Sequence, residues 1–347
     1  MIIDIHGHYT TEPPALHAFR DKQLAGLADS ARKPSPYTTV ADLGISDETL
    51  VKSVQPQLKF QTERGGDLTL FSPRAGGMAH HVGTEKVSLE WSRICNDLIH
   101  RICRLLPDNF VAVGQLPQFP GVSPKNCIPE LERIVNQLDF VGVNLNPDPS
   151  GGMWTDPPLI DRHWYPIYEK LCELDVPAMI HVSSSCNPNF HHTGAHYING
   201  DTTAFMQLIQ GNLFKDFPTL RFVIPHGGGA APYHWGRYRG LAQDMGRPPL
   251  SEHLLKNVFF DTCVYHLPGV ELLAKVVPLD NILFASEMVG AVKGIDPTTG
   301  HHYDDTKRYV DQLKGLSEQD RHKVFEGNAR RVYPRLDKLL KKRKEQR

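Results

Sequence analysis

The first eight residues of the chain constrain its fold more than any other stretch. They read Met-Ile-Ile-Asp-Ile-His-Gly-His, an apolar run that leads directly into two histidines separated by one glycine. In a β-strand, residues i and i+2 point to the same side. His6 and His8 are therefore predicted to aim both imidazoles at one point beyond a buried strand, with Gly7 keeping the space between them clear. Two convergent imidazoles are half of a transition-metal site.

A regular alternation of short apolar runs and helical periodicities follows this strand. It predicts strands at 110–114, 140–145, 177–181, 220–226, 257–262 and 281–287, and helices at 85–106, 124–138, 159–174, 202–214 and through 238–241. Such alternation is typical of parallel βα units. With the first strand and an eighth between residues 51 and 71, the pattern predicts a (β/α)₈ barrel of the TIM type. Functional residues of such barrels lie at the carboxyl ends of the strands.

The chain of 347 residues is predicted to form a single barrel domain spanning 1–347. We interpret the polar, proline-rich stretch at 10–84 as an insertion over the barrel mouth, with a small hairpin that ends at 72–77. The segment from His181 to Asn199 is predicted to be a loop that faces the same mouth.

Composition excludes several classes of function. The formal net charge of −1 argues against nucleic acid or an anionic membrane as the main partner. The sequence has neither an apolar run of about 18 residues, as a membrane span requires, nor a recognisable signal peptide, so we expect a cytoplasmic protein. Six scattered cysteines without a CxxC pair are typical of reduced thiols.

Further residues with metal-binding side chains stand at the ends of predicted strands. His181 follows Ala178-Met179-Ile180, His226 follows Phe222-Val223-Ile224-Pro225, and Glu287 ends the last predicted strand. Strand interiors bury apolar side chains, so polar residues at the exits line the barrel mouth. Imidazoles and a carboxylate suit Zn²⁺ or a similar divalent ion, and three or four protein ligands leave a position for water.

The chain resembles the amidohydrolase superfamily over its whole length, in particular the branch of metal-dependent decarboxylases and hydratases. The resemblance rests on the opening Ile-Asp-Ile-His-Gly-His, on His181, on Pro-His-Gly-Gly-Gly at 225–229 and on Phe-Glu-Gly-Asn-Ala-Arg-Arg at 325–331. The sequence departs from most of that branch at 286–287, where Ser-Glu stands in place of the usual Ser-Asp. This glutamate, together with the stretches at 71–74 and 232–237, is similar to the 4-oxalomesaconate hydratases of bacterial protocatechuate and gallate degradation.

The resemblance implies that His6, His8, His181 and Glu287 hold one zinc ion per subunit and that His226 acts beside it. The implied substrate is a small tricarboxylate with a 2-keto group conjugated to a C=C bond, and water is added at C4. A zinc-bound water has its pKa lowered to about 7. Glu287 can then serve as metal ligand and general base, and His226 can hold the water or supply a proton to C3.

A substrate with three negative charges requires cations near the site. Arg74 is the first candidate, because a guanidinium binds a carboxylate through two hydrogen bonds. Arg237 is the second; in related enzymes an arginine from this region reaches a neighbouring subunit, so we expect a homodimer or a higher homo-oligomer. Lys59, Asn189 and Tyr197 are weaker candidates for substrate binding. A surface salt bridge is the alternative role for each arginine.

Three other functions remain open from the sequence. The first is a nonoxidative decarboxylase of an aromatic or semialdehyde acid, which Glu287 in place of aspartate disfavours. The second is a hydrolase of a lactone or amide. Such hydrolases commonly bridge two metals with a lysine on the fourth strand, whereas this chain has Asn144-Leu145-Asn146 there. The third is a barrel that binds a metal or ligand without turnover.

Overall fold

A single sheet of eight parallel strands forms the centre of the molecule. The computed structural model describes residues 1–28 and 43–346. Neighbouring strands pair in chain order from first to last, which confirms the predicted α/β architecture. The strands are β1 (Ile3–Tyr9), β2 (Leu68–Pro73), β3 (Phe110–Gln115), β4 (Gly142–Leu145), β5 (Ala178–Ile180), β6 (Phe222–Ile224), β7 (Val258–Asp261) and β8 (Ile282–Leu283).

Two backbone hydrogen bonds join the last strand region to the first. Ile5 N donates to Phe284 O at 3.0 Å, and Glu287 N donates to His6 O at 2.9 Å. The sheet therefore curls until its two edges meet. One apolar cluster fills the inside of the curl, and it includes Ile3, Ile5, Leu70, Val113, Met179, Val223, Phe259 and Leu283.

The helices pack on the outside through a second and larger apolar cluster. In α4 the hydroxyl of Thr84 accepts a hydrogen bond from Val87 N at the N-terminus, and Trp91, Ile94 and Leu98 share one buried face. The helices are α1 (Pro14–Ala25), α2 (Asp47–Ser53), α3 (Gln55–Glu63), α4 (Glu85–Leu105), α5 (Ile128–Asn136), α6 (Tyr165–Leu174), α7 (Gly194–Gln210), α8 (Leu213–Asp216), α9 (Trp235–Asp244), α10 (Leu250–His253), α11 (Leu267–Val276), α12 (Lys307–Gln312), α13 (Glu318–His322), α14 (Asn328–Val332) and α15 (Pro334–Glu345).

The stretch predicted as an insertion with a hairpin contains the second strand of the sheet. β2 pairs in parallel with β1 and with β3, so the predicted hairpin ending at 72–77 is wrong. β2 is buried on both faces, as parallel strands are, although it contains Thr69 and Ser72. The connection from β1 to β2 carries α1, α2 and α3. The part of the predicted insertion at 29–42 lies outside the described residues.

Several boundaries differ from the sequence prediction, and two of these differences bear on the candidate site. α7 begins at Gly194 rather than near residue 202, which places Tyr197 on a helix and not in a loop. β8 ends at Leu283, so Glu287 lies in the turn after the strand.

Within the described residues, none of the helices combines the length and the apolar character that a membrane crossing needs. All six cysteines are free thiols.

Candidate active site

β1 brings His6 and His8 to the carboxyl end of the sheet. The pairing of β1 with β2 shifts register between Asp4 and Gly7, and both imidazoles are buried. A Cβ atom on Gly7 would lie 2.3 Å from Thr69 Cγ2. Glycine is therefore required by the close approach of β2, and not, as the sequence suggested, by the space between the two imidazoles.

Three imidazole nitrogens converge at this end of the sheet. His8 Nε2 lies 3.0 Å from His6 Nε2 and 3.2 Å from His181 Nε2. His181 directly follows β5 and is also buried. These three residues, predicted from positions far apart in the sequence, are brought together by the structure.

The hydrogen bonds of the opposite ring nitrogens indicate the tautomer of each histidine. His6 Nδ1 donates to Asp261 Oδ2 at 2.8 Å, and His181 Nδ1 donates to its neighbour's carbonyl, Val182 O, at 2.8 Å. His8 Nδ1 donates at 2.7 Å to Ser72 Oγ, whose own proton is directed to a backbone carbonyl. Each Nδ1 therefore carries a proton, and in the neutral form of each imidazole Nε2 presents a lone pair.

Three lone pairs at such separations repel one another unless a cation lies between them. Tetrahedral Zn²⁺ with Zn–N bonds of about 2.0–2.1 Å places its nitrogen ligands ~3.3 Å apart, close to the observed spacings. Burial and the neighbouring histidines hold the pKa values of His8 and His181 well below the usual range. Neutral imidazoles of this kind are what a divalent metal requires, so the donor set fits a metal ion.

His226, in the turn after β6, differs from the other histidines in its charge. Its Nδ1 lies 2.8 Å from Asp201 Oδ2, a buried carboxylate on α7. Burial by itself lowers the pKa of His226, but the charge and hydrogen bond of Asp201 raise it to about 9. Burial raises the pKa of Asp201 only to about 6. At neutral pH the pair is therefore an ion pair, with a proton on His226 Nε2.

Glu287 completes the group from the turn after β8. Ligand atoms of His6, His181, His226 and Glu287 all lie within 4.8 Å of one another. Glu287 Oε2 is 3.9 Å from His226 Nε2 and accepts a 2.5 Å hydrogen bond from Tyr265 OH. A buried carboxylate beside the protonated His226 and three further imidazoles can act as a metal ligand or as a proton acceptor.

The predicted substrate-binding residues fall into two groups. Tyr197 is buried, with its ring centre 5.1 Å from that of His181 and 5.6 Å from that of His226. The side chain of Arg74, which directly follows β2, is half exposed, and its guanidinium lies 4.0 Å from the Glu12 carboxylate. Arg74 is also near enough to His8 and Tyr197 to perturb both electrostatically.

The other three candidates make their contacts away from the histidines. Lys59 is exposed on α3 and pairs with Glu63. Asn189 is exposed, and its backbone N–H donates to the side chain of Asn187. Arg237 is exposed on α9. The structure of one chain does not bring these three residues to the site.

Several residues of the site were missed by the sequence analysis. Asp261, the partner of His6, ends β7. The search for polar side chains at the ends of predicted strands, which identified His181 and His226, could therefore have found it. Asp201, on α7, and Ser72, in β2, carried no comparable signal. Tyr265 lies beyond the end of β7 and becomes a neighbour of Glu287 only through the fold.

Comparisons with known proteins identify relatives of this chain. The model of the family described as Amidohydrolase matches residues 3–335. The chain is 59% identical to a 2-keto-4-carboxy-3-hexenedioate hydratase of Sphingobium sp. strain SYK-6, over 99% of both chains. It is 28% identical to a gamma-resorcylate decarboxylase of Rhizobium sp. strain MTP-10005, over 80% of this chain and 86% of that one.

Solved structures show the same relationship. The crystal structure of 4-oxalomesaconate hydratase from Rhodopseudomonas palustris superposes with a TM-score of 0.91, at 59% identity and 99% coverage of both chains. The 5-carboxyvanillate decarboxylase of Sphingomonas paucimobilis has a TM-score of 0.68 at 20% identity, over 96% of this chain and 98% of that one. The latter likeness concerns the fold alone.

Proposed function

The chain belongs to the amidohydrolase family, and from that membership we propose that it is a metal-dependent hydratase acting on 4-oxalomesaconate. Water is added to the conjugated C=C bond, and the product is 4-carboxy-4-hydroxy-2-oxoadipate. The observation that supports this most directly is the 59% identity over 99% of both chains with a hydratase of the same chemistry. The buried His and Glu side chains supply the groups that this reaction needs.

The metal ligands in this proposal are His6, His8, His181 and Glu287, and the metal is Zn²⁺, one ion per subunit. The three histidines present unprotonated Nε2 atoms, whereas His226 is protonated and stands outside the ligand set. When bound, a divalent ion supplies Lewis acidity and lowers the pKa of water to about 7. The tautomers and charges described above support this division of roles.

Glu287 and His226 handle the protons of the addition. Hydroxyl joins C4 of the substrate and a proton joins C3, so one group must remove a proton from water and another must deliver one to carbon. The Glu287 carboxylate is the acceptor, and His226 Nε2–H is the donor. Glu287 Oε2 and His226 Nε2 lie 3.9 Å apart, which is longer than a hydrogen bond, so the accepted proton returns to His226 through a water molecule after each turnover.

Arg74 and Tyr197 contact the substrate in our proposal. The Tyr197 hydroxyl lies beside Gly76, in the turn that follows Arg74. A Cβ atom added to Gly76 would be only 2.9 Å from this hydroxyl. Arg74 then binds one carboxylate of the tricarboxylate, in competition with Glu12. We place the whole chain in one barrel domain, with the described parts of the connection between β1 and β2, 10–28 and 43–67, covering its mouth.

The substrate site would be completed by three further residues, Arg237, Asn189 and Lys59. They would reach it in a homodimer or after a movement of the segments around the barrel mouth. Arg237 lies on α9 close in sequence to Tyr233, which is 78% exposed. An exposed aromatic residue and an exposed arginine suit a contact with a second subunit.

A direct assay tests the reaction. The full-length protein, loaded with Zn²⁺ or Mn²⁺, is incubated with 4-oxalomesaconate while the conjugated absorbance is followed and the headspace is analysed for CO₂. We expect the absorbance to fall, the product mass to increase by one water, and no CO₂ to form. Release of CO₂ without hydration would instead establish the decarboxylase.

Glu287→Gln provides the matched test of the mechanism. The amide has nearly the same shape as the carboxylate but cannot accept the proton from water. Loss of general-base function lowers kcat by about 10²–10⁴-fold, while substrate binding measured by calorimetry is retained. An active Glu287→Gln variant would exclude Glu287 as the base.

A further inference from the structure

The hydroxyl of Tyr265 is in direct contact with the carboxylate that the proposed reaction uses. Tyr265 OH donates to Glu287 Oε2 at 2.5 Å. The same oxygen lies 3.6 Å from Cys263 Sγ and 3.9 Å from His226 Nε2. Glu287 is only 3% exposed, so water competes poorly for this hydrogen bond.

The backbone at both residues is unusual. Tyr265 has φ 62° and Glu287 has φ 51°. Left-handed backbone is costly for any residue with a side chain, and it persists only where the surroundings enforce it. Two such residues, in the turns after neighbouring strands, meet through their side chains. This arrangement is typical of groups held for a functional reason.

Glutamate needs such a restraint more than aspartate does. Its additional methylene adds a rotatable bond, so a free carboxylate would sample several positions relative to the histidines. A hydrogen bond from a phenol to one oxygen removes that freedom without neutralising the charge, because the phenol remains the donor. The second carboxylate oxygen is then available for the metal or for water.

We propose that Tyr265 is a positioning residue that holds Glu287 Oε2 so that the other carboxylate oxygen faces the metal and water. The inference rests on the proposed function for the identity of the metal ligands. It assigns to Tyr265 no contact with the substrate. Its effect must therefore pass entirely through Glu287.

Tyr265→Phe removes the hydroxyl and keeps the ring. Zn²⁺ affinity is measured on the full-length, metal-stripped protein by competition with a chromogenic chelator. We expect Zn²⁺ to bind about 10-fold more weakly, as for other groups that orient metal ligands. We also expect kcat to fall while KM stays close to that of the wild type. Unchanged Zn²⁺ affinity and kcat would overturn the inference.

Tyr168→Phe is the matched control. Tyr168 lies on α6, and its buried hydroxyl donates to Leu159 O at 2.7 Å. The substitution to phenylalanine removes this hydroxyl as well. Any general loss of stability should appear in both variants as a lower urea midpoint. Only Tyr265→Phe should change Zn²⁺ binding and kcat. Equal changes in the two variants would mean that the effect of Tyr265 is merely structural.

A double-mutant cycle with Glu287→Ala separates this inference from the proposed function. If Tyr265 acts only through the Glu287 carboxylate, Tyr265→Phe causes no further loss of Zn²⁺ affinity in the Glu287→Ala background. A further loss there would overturn the positioning role. If Glu287→Ala binds Zn²⁺ as the wild type does, the metal site of the proposed function is refuted. If only Glu287→Ala weakens Zn²⁺ binding, the inference about Tyr265 alone fails.

Discussion

Asp261→Asn should weaken metal binding by switching the tautomer of His6. Asp261 Oδ1 accepts hydrogen bonds from the backbone N–H groups of Gly227 and Cys263, each at 3.0 Å, while Oδ2 accepts from His6 Nδ1. In asparagine the oxygen must stay with the two backbone donors. The new NH₂ group therefore faces His6 Nδ1, and His6 satisfies it only by moving its proton to Nε2, the atom that faces the metal.

The cost of restoring the ligating tautomer sets the magnitude. With the proton back on Nδ1, two buried donors face each other without an acceptor, at a cost of about 2–3 kcal/mol. Since ~1.4 kcal/mol corresponds to a factor of ten, the dissociation constant for Zn²⁺ should rise by about 30- to 150-fold. Hydrogen bonds from the two backbone donors, and the volume of the side chain, are preserved.

Chelator competition on the metal-stripped full-length protein measures this constant, with Asp175→Asn as the control. Asp175, whose side chain is 48% exposed, undergoes the same chemical change in its pair with Arg221, so the Zn²⁺ affinity of this variant should remain that of the wild type. If Asp261→Asn also binds Zn²⁺ with wild-type affinity while folding normally, the tautomer argument is refuted.

Two other substitutions test the turn that carries Glu287. In Gly290→Ala, the new Cβ would lie 2.4 Å from Glu287 O and 2.6 Å from Glu287 Cγ, so kcat should fall at least about 10-fold in the absorbance assay; unchanged kcat would show that the turn tolerates a methyl group. Asp304→Ala leaves the largely buried Arg64 without its 2.7 Å partner, which should cost about 3–5 kcal/mol of unfolding free energy. Urea denaturation measures this loss, and Asp305→Ala, at a more exposed pair, should give a much smaller one.

Much of the candidate metal site could be predicted from the sequence because parallel strands bury both faces. Their apolar runs are continuous, so the first polar residue after each run marks the rim of the sheet. His181 and His226 were found in this way, and Asp261 at the end of β7 obeys the same rule. The histidines of β1 were evident from their spacing alone.

The partners of these residues could not be predicted in the same way. Asp201 reaches His226 from α7, and Tyr265 reaches Glu287 from a neighbouring turn. Both contacts depend on how the turns after the strands fold back over the sheet. A local sequence pattern contains no information about that geometry, because residues far apart in the chain determine it.

The second strand was predicted only in part. A strand was expected between residues 51 and 71, but the polar, proline-rich composition of 10–84 suggested a hairpin that ends at 72–77. In the structure Thr69 Oγ1 accepts from Gln61 Nε2 at 3.1 Å, and Ser72 Oγ accepts from His8 Nδ1. Polar residues are tolerated in a buried strand when each has such a partner. Because these partners lie on other segments, the sequence of the strand does not show that it is buried in the sheet.

Backbone strain links the fold to the chemistry at the rim. His226, Tyr265, Glu287 and Val289 have φ between 51° and 62°, and they lie in the turns after β6, β7 and β8. Each such conformation costs about 1–3 kcal/mol, and the surrounding hydrogen bonds offset it. Val289 N, for example, donates to the buried Asp304 at 2.8 Å. The turns can therefore reverse immediately after each strand and direct His226 and Glu287 towards the same centre. A relaxed turn would remove the strain, but it would also let these two side chains move away from His6, His8 and His181.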